Sequence, residues 1–433
     1  MTIERPAATI ADVAIAQPGL APSVRQRILL YLGILIVLLA FGSPSGGLID
    51  IPISFLLKNK LQLSAHEVAG FRLVAAIPLY LAFAFGFARD IWNPFGMRDR
   101  GFMLLFGSIS ALLYVFFAFT PISYLTLIVA VVILTVSFLF VFSAQSGLTA
   151  MLGQQHAMTG QISAAWNVFL AIPTVGALLA GGMLSGLLEE KGADQAVRIL
   201  FLVGAAIMAT IAVYAIWRPA DVFDNVRVEA GAGRHPMADL KRLLRHWPIY
   251  PASLIWLLWN FAPGSTTPLQ YHLQNSLHAT DAQWGQWNAI FAASFIPTFI
   301  IYGMLCRRFA LKTLLLWGTV IAIPQMVPLL FIHSVTGALI AAMPIGLMGG
   351  IATGAYLDLI IRSCPSGLQG TTLMLASSLY FLVSRFGDVL GTRLYDHYGG
   401  FDVCVIAITI VYALMLPALW LVPGHLIAAP DGQ

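Results

Sequence analysis

Charge is scarce in this sequence. Asp, Glu, Lys and Arg make up 10% of its 433 residues, against roughly 25% in soluble domains, while apolar residues reach 59%. A water-soluble fold has too little polar surface to cover so much apolar material. Cysteine is nearly absent: Cys306, Cys364 and Cys404 are too few and too dispersed for a disulfide framework or a metal cluster. No histidine pair stands at ligand spacing on an apolar run and no phosphate-binding glycine loop occurs. Neither a metal nor another cofactor is therefore expected, and ATP-driven work by this chain alone is disfavoured. The first 27 residues contain Glu4 and Asp12 and lack the compact apolar core of a signal peptide. A net charge of +4 reads as membrane orientation and gives no reason to expect a nucleic-acid partner.

What fills the chain is a series of apolar runs, each of about the 20 residues that cross a bilayer core of ~30 Å as helix. They lie at 28–57, 66–88, 102–120, 122–151, 160–188, 197–217, 247–272, 282–306, 312–332, 335–361, 368–392 and 401–422. Most are uniformly apolar and do not alternate, which excludes a β-barrel. Helices satisfy their own backbone groups, as lipid demands. The expected class is an all-α membrane protein of twelve transmembrane helices.

Basic residues set the orientation. Loops on one side hold Arg89, Arg98, Arg100, Arg218, Lys241, Arg242, Arg245, Arg307, Arg308, Lys312 and Arg362, whereas the other side holds only Lys58, Lys60, Lys191, Arg198 and Arg393. Positively charged loops stay in the cytoplasm. Both termini are thus expected there, in a cell (inner or plasma) membrane. The longest polar stretch, 218–246, ends in a basic segment with Leu240, Leu243 and Leu244 on one side, an amphipathic surface helix by pattern. It divides a cytoplasmic tail (1–27) and a six-helix bundle (28–217) from a second bundle (247–422) and a second tail (423–433).

The halves resemble each other. At a shift of 216, Leu57, Asn59 and Leu61 fall on Leu273, Asn275 and Leu277; at 210, Gly160, Gly181 and Leu184 fall on Gly370, Gly391 and Leu394. A duplicated six-helix unit is expected, as in parallel-repeat transporters.

After the second run come Gly86, Asp90, Arg98 and Arg100 in the stretch Gly86-Phe-Ala-Arg-Asp90 … Asn93-Pro-Phe-Gly-Met-Arg98-Asp-Arg100. Glycine admits a close neighbour, and a carboxylate at this position can bond the exposed amides of another helix, forming a latch that breaks when the halves move. A plain charged loop explains the same residues. The Gly-x-x-x-Asp … Arg-x-Arg pattern resembles the signature loop of the major facilitator superfamily. Its Pro-Phe-Gly-x-Arg insertion, with Phe55–Ser64, Gln270–Leu277 and Cys364–Thr371, is similar to the folate–biopterin transporter family within it. That resemblance implies the major facilitator fold of two six-helix pseudo-repeats and a pterin- or folate-like solute. Against the family pattern, Asp99 replaces a basic residue, Gln369 replaces an acid, and Arg307 stands where the second half would repeat Asp90.

Charges within the spans are the next pointers, because each costs about 2.5–3.5 kcal/mol at the bilayer centre. Asp50, Arg72, Arg385 and Asp388 fall in the outer half and form a candidate gate or coupling set; Arg385 and Asp388, three apart, equally well neutralise each other. Asp358 and Arg362 read as a local pair. Trp166-Asn167, Trp259-Asn260 and Trp287-Asn288 recur in spans five, seven and eight, which line the cavity in the family resembled. Amides bond polar ligands and indoles stack on flat rings, though core packing also uses them. Pro44, Pro263-Gly264 and the glycines 346, 349, 350 and 354 loosen spans one, seven and ten, or else let helices pack closely.

Two acids on one segment, Asp388 and Asp396, do not make an intramembrane aspartyl protease, so no enzyme is expected. A non-transporting sensor or assembly factor on the same fold is the competing class. The sequence points to a monomeric secondary active transporter, a symporter of a small organic solute working by alternating access. H⁺ is its expected coupling ion and Asp50 or Asp388 the titrating group.

Overall fold

The computed structural model describes residues 21–432 apart from 46–48, 50–52, 54–56, 58–60, 64, 122, 191–192 and 224–235. Among these residues there are helices and turns and no strand. In chain order the first half holds α1 (Pro22–Gly42), α2 (Ala65–Ala75), α3 (Ala82–Ile91), α4 (Asp99–Ala118), α5 (Tyr124–Gln155), α6 (Thr159–Glu190) and α7 (Ala193–Tyr214). A short helix, α8 (Pro236–Arg245), leads to the second half: α9 (Ile249–Asn260), α10 (Asp281–Leu305), α11 (Leu311–Ala322), α12 (Val335–Ser363), α13 (Gln369–His397) and α14 (Gly400–Ala413).

Among the described residues, eight helices are long and apolar enough to cross a membrane. The other spans are α6, 32 residues long, α7, whose apolar part is Arg198–Tyr214, and two broken spans. One joins α2 to α3 through the turn Ile77–Tyr80; the other joins α9 to Thr267–Tyr271. Twelve spans result, six in each half.

The breaks have local causes. The first span starts earlier than expected, at Pro22, and its helix stops at Gly42 with Ser43 extended at φ −70° and ψ 124°, since Pro44 disfavours helical geometry in the residue before it. Pro78, without an amide hydrogen, interrupts the second span, a break the apolar pattern did not signal. In span seven Gly264 takes φ +109°, a backbone that L side chains rarely adopt, and lies against Gly391 and Cys404. Span ten is a correction. Its α12 is continuous, and its glycines are packing surfaces: Gly346, Gly350 and Gly354 face Ser294, Thr298 and Tyr302 of α10, one helical turn apart on each helix.

The duplication is visible in detail. Gln62 (φ 51°) and His278 (φ 58°) share the left-handed backbone at the 216-residue shift. Beside them Leu63 N donates to Leu57 O at 3.1 Å and Ala279 N to Leu273 O at 2.8 Å, the same turn in each half.

One end of the bundle, where α3, α5, α10 and α12 finish and α4, α6, α11 and α13 start, carries Arg89, Arg98, Arg100, Arg307 and Arg362; we term it the basic end. Helix α8 lies there, with Leu243 packed on Ile249 and Leu368 and Arg242 donating to Ser366 O at 2.9 Å. Hydrogen bonds joining the halves cluster at this end. Gln154 Nε2 donates to Ile361 O (3.0 Å) and Cys364 O (2.7 Å), Ser163 Oγ to Gly354 O (2.7 Å), and Phe83 N to Ser378 Oγ (2.9 Å).

Candidate functional site

At the basic end the last turns of α3 meet the first turn of α13. The free amides of a helix start, with the positive end of its dipole, make a ready seat for a carboxylate. Asp90 occupies it: Oδ1 accepts from Gly370 N at 3.3 Å, and Oδ2 accepts from Thr371 N at 2.7 Å and Thr371 Oγ1 at 2.6 Å. Gly86, one turn earlier, lies so close to Gly370 O and to Met374 that a β-carbon would collide with both. Arg89 bridges Asp90 (2.7 Å) and Asp99 (2.5 Å). Of the four expected latch residues, Gly86 and Asp90 therefore reach across the halves. Arg100 braces its own half, donating to Ala215 O and Ile216 O at 2.9 Å after α7. The Arg98 backbone amide donates to Asn93 Oδ1 at 2.6 Å.

A second polar cluster lies alongside. Asp358 and Arg362 pair at 2.9 Å as expected, and the pair belongs to a larger network. Tyr302 OH donates to Asp358 Oδ2 at 2.8 Å. Arg362 also donates to Thr159 Oγ1 (3.0 Å) at the start of α6, to Ala429 O (2.9 Å), and to Asp431 at 3.0 Å. Asp431 is 7% exposed. Burial first, and then the Asp358 charge, push its carboxyl up to about 6 against the pull of two amides and Arg362. The segment 423–433 was expected only as a tail, and its Asp431 is bonded into the interface between the halves.

Three of the four gate residues, Asp388, Arg385 and Arg72, lie among the described residues. Asp388 accepts from Thr266 Oγ1 (2.5 Å), Thr267 N (3.0 Å) and Thr267 Oγ1 (2.9 Å), tying broken span seven to α13. Arg385, exposed, forms no ion pair with it among the described residues. Arg72 is exposed on α2, and Asp50 lies outside the described residues.

The three Trp-Asn pairs share one geometry and diverge in packing. Asn167, Asn260 and Asn288 each donate Nδ2 to the carbonyl four residues back, of Ser163, Trp256 and Trp284, at 2.8–2.9 Å. Among the described residues no donor reaches the oxygens of these half-buried amides. Trp166 is half-buried, edge-on to Phe142. Trp259 is packed by Tyr412 (4.8 Å) and Tyr356 (5.3 Å), and Trp287 by Trp284 and Phe291. Those two indoles are core.

The sequence profile of the Major Facilitator Superfamily matches residues 162–392, more than half of the chain. The chain belongs to the Major Facilitator Superfamily. No curated protein sequence matches it. Solved structures that it resembles include the superfamily transporter FucP in the outward conformation, at 16% identity over 90% of this chain and 97% of that one, TM-score 0.65. Another is the proton:xylose symporter XylE bound to 6-bromo-6-deoxy-D-glucose, at 12% identity over 91% and 96%, TM-score 0.66. A third is a bacterial homologue of the iron transporter ferroportin in the outward-facing state, at 16% over 91% and 98%, TM-score 0.66. At these identities the shared property is the fold.

The chain is accordingly a multi-pass membrane transporter of this superfamily, and its departures from the family pattern acquire physical meaning. Asp99, where the resemblance implies a basic residue, pairs with Arg89, which lies between it and Asp90. Gln369 donates Nε2 to Gln154 Oε1 at 3.0 Å, a neutral bond across the halves where an acid was expected. Sequence reasoning missed Arg89, Thr371 and Asp431. Arg89 was legible as the cation adjoining Asp90; Asp431 gave no local signal, its seat lying 270 residues earlier in the chain.

Proposed function

We propose that this protein is a secondary active transporter that moves a small organic solute by alternating access, with H⁺ as the coupling ion. The Asp90 clamp carries this reading. It closes one end of the interface with a few polar contacts on a helix start, the kind of closure that can be exchanged for water when the halves rock. The excess of Arg at that end supports placing it, and both termini, in the cytoplasm of a cell-membrane protein. The described conformation is then outward-facing, as two of the similar structures are named.

For the solute, the resemblance to folate–biopterin transporters and the half-buried acceptors Asn167, Asn260 and Asn288 favour a flat, hydrogen-bonding ring such as a pterin or folate. The coupling carboxylate is assigned to Asp50 or Asp388 and the chain is taken to act as a monomer. A thermal-shift screen of purified protein against pterins, folates, amino acids, sugars and hydrophobic drugs tests the solute class. Proteoliposome uptake of any hit, with and without an imposed pH gradient, tests coupling. Binding without flux would favour a sensor, and flux indifferent to the gradient would remove H⁺.

A further inference from the structure

The superfamily fold repeats its halves, yet the acid in the last turn of α3, Asp90, has no counterpart after α10. Gly303 packs on the Ala164 β-carbon as Gly86 packs on that of Met374, and Ala164 and Met374 each lie four residues after Gly160 and Gly370. In that register Arg307 takes the place of Asp90, and it is exposed. The second half's own loop therefore brings no carboxylate to the start of α6.

A carboxylate is there nonetheless. Asp431 Oδ1 accepts from Gly160 N at 3.2 Å and Oδ2 from Gln161 N at 2.9 Å. Asp90 Oδ1 and Oδ2 accept from Gly370 N and Thr371 N. The two seats are the same pair of positions at the 210-residue shift. Each is flanked by an arginine shared between two aspartates: Arg89 with Asp90 and Asp99, Arg362 with Asp431 and Asp358. The segment is fixed by its backbone as well, with Asp431 N donating to Cys306 O at 2.9 Å and Gly432 N to Ala157 O at 2.7 Å.

We infer that Asp431 is the second latch of the basic end, a positioning residue that replaces the missing acid of the second-half loop and holds α6 against α12 in the outward-facing state. Asp431 follows α14 in the second half and its seat is in the first, so the contact must break for the basic end to open. The inference rests on the alternating-access reading above.

The test measures distances between spin labels at Leu125→Cys and Asn275→Cys, exposed positions in different halves at the end opposite the basic one. The full chain is used in nanodiscs, with the three native cysteines replaced by serine. Asp431→Ala should at least double the population with the shorter distance, as Asp90→Ala should. If only Asp90→Ala shifts the distribution, Asp431 is packing and the latch is overturned while alternating access stands. If neither shifts it, the alternating-access reading falls and takes the latch with it. Should Asp431→Ala not fold, Gln161→Pro removes one of the two donors at a helix start, where proline is tolerated, and the same two outcomes decide.

Discussion

Asp90 and Thr371, 281 residues apart in the chain, share two hydrogen bonds of 2.7 and 2.6 Å across the interface between the halves. A carboxylate on a helix start stabilises by about 0.3–1 kcal/mol when exposed and up to ~2 when partly buried. Asp90→Asn should therefore change the ratio of the two end states by roughly 2- to 30-fold, since 1.4 kcal/mol is a factor of ten. Turnover in proteoliposomes should fall while the affinity for a bound solute in detergent stays nearly native. Unchanged turnover would reduce Asp90 to a surface charge.

Gly86 makes a sharper steric case. Its missing β-carbon is what lets α3 approach Gly370 O, so Gly86→Ala should hold the basic end apart, with an overpacking cost of about 1–3 kcal/mol. Gly70, also in span two, has open space around a β-carbon. Gly70→Ala should leave transport unaltered. Equal effects of the two substitutions on transport would mean that the close approach at Gly86 has no part in closure.

The length of the apolar runs was enough to read twelve spans and their lack of alternation the helical class, because lipid admits only helices and closed barrels; the duplication was read from residue matches at fixed shifts. The Asp90 contact was legible in part: a Gly and an acid one turn on pointed to the amides of another helix, without saying that Gly370 and Thr371 supply them. Residues whose role depends on a distant partner were not legible. Trp259 and Asn260 are neighbours in sequence, yet one indole is core and one amide is half-buried, a difference set by Tyr356 and Tyr412 from other helices. The glycines of α12 were ambiguous for the same cause, since whether they loosen a helix or admit Ser294 and Thr298 depends on α10.

That division separates binding from stability. Asn260→Ala and Asn288→Ala should weaken solute binding by about 1–3 kcal/mol each with little change in melting temperature. Trp259→Ala should cost about 3–5 kcal/mol of stability through the cavity left between Tyr356 and Tyr412. Calorimetric melting and ligand titration on the same samples distinguish the two. Native affinity in both asparagine variants would move the binding site elsewhere.

Asp388 is held by Thr266 and Thr267 in the described conformation, and Arg72, of the same candidate gate set, lies on α2. If Asp388 exchanges the threonines for Arg72 when the opposite end closes, each of Arg72→Ala and Asp388→Ala should raise cysteine labelling in that vestibule. The double variant should add little, because the shared contact is already gone. Fully additive effects would rule out the exchange, and a rise with Arg385→Ala but not Arg72→Ala would assign the pair to Arg385.

The last prediction concerns acid. Docked Asp431 faces Asp358 and Arg362 of α12, Tyr302 and Cys306 from α10, and the amides of α6, whose Gln161 side chain meets Arg25. In that seat its pKa is raised to about 6, above the ~3.9 of a free aspartate. A carboxyl that holds its proton more tightly when docked takes up protons on docking, so docking is favoured as pH falls through 6. The gain is complete below the free value and is lost as pH rises above 6. Between pH 7 and pH 5 the docked population should grow on the order of tenfold relative to the released one. Spin-label distances in nanodiscs should accordingly move toward the state with a closed basic end on acidification, and Asp431→Ala should remove most of that dependence. A pH response that survives Asp431→Ala intact would assign it to another group and would detach proton linkage from the Asp431 seat.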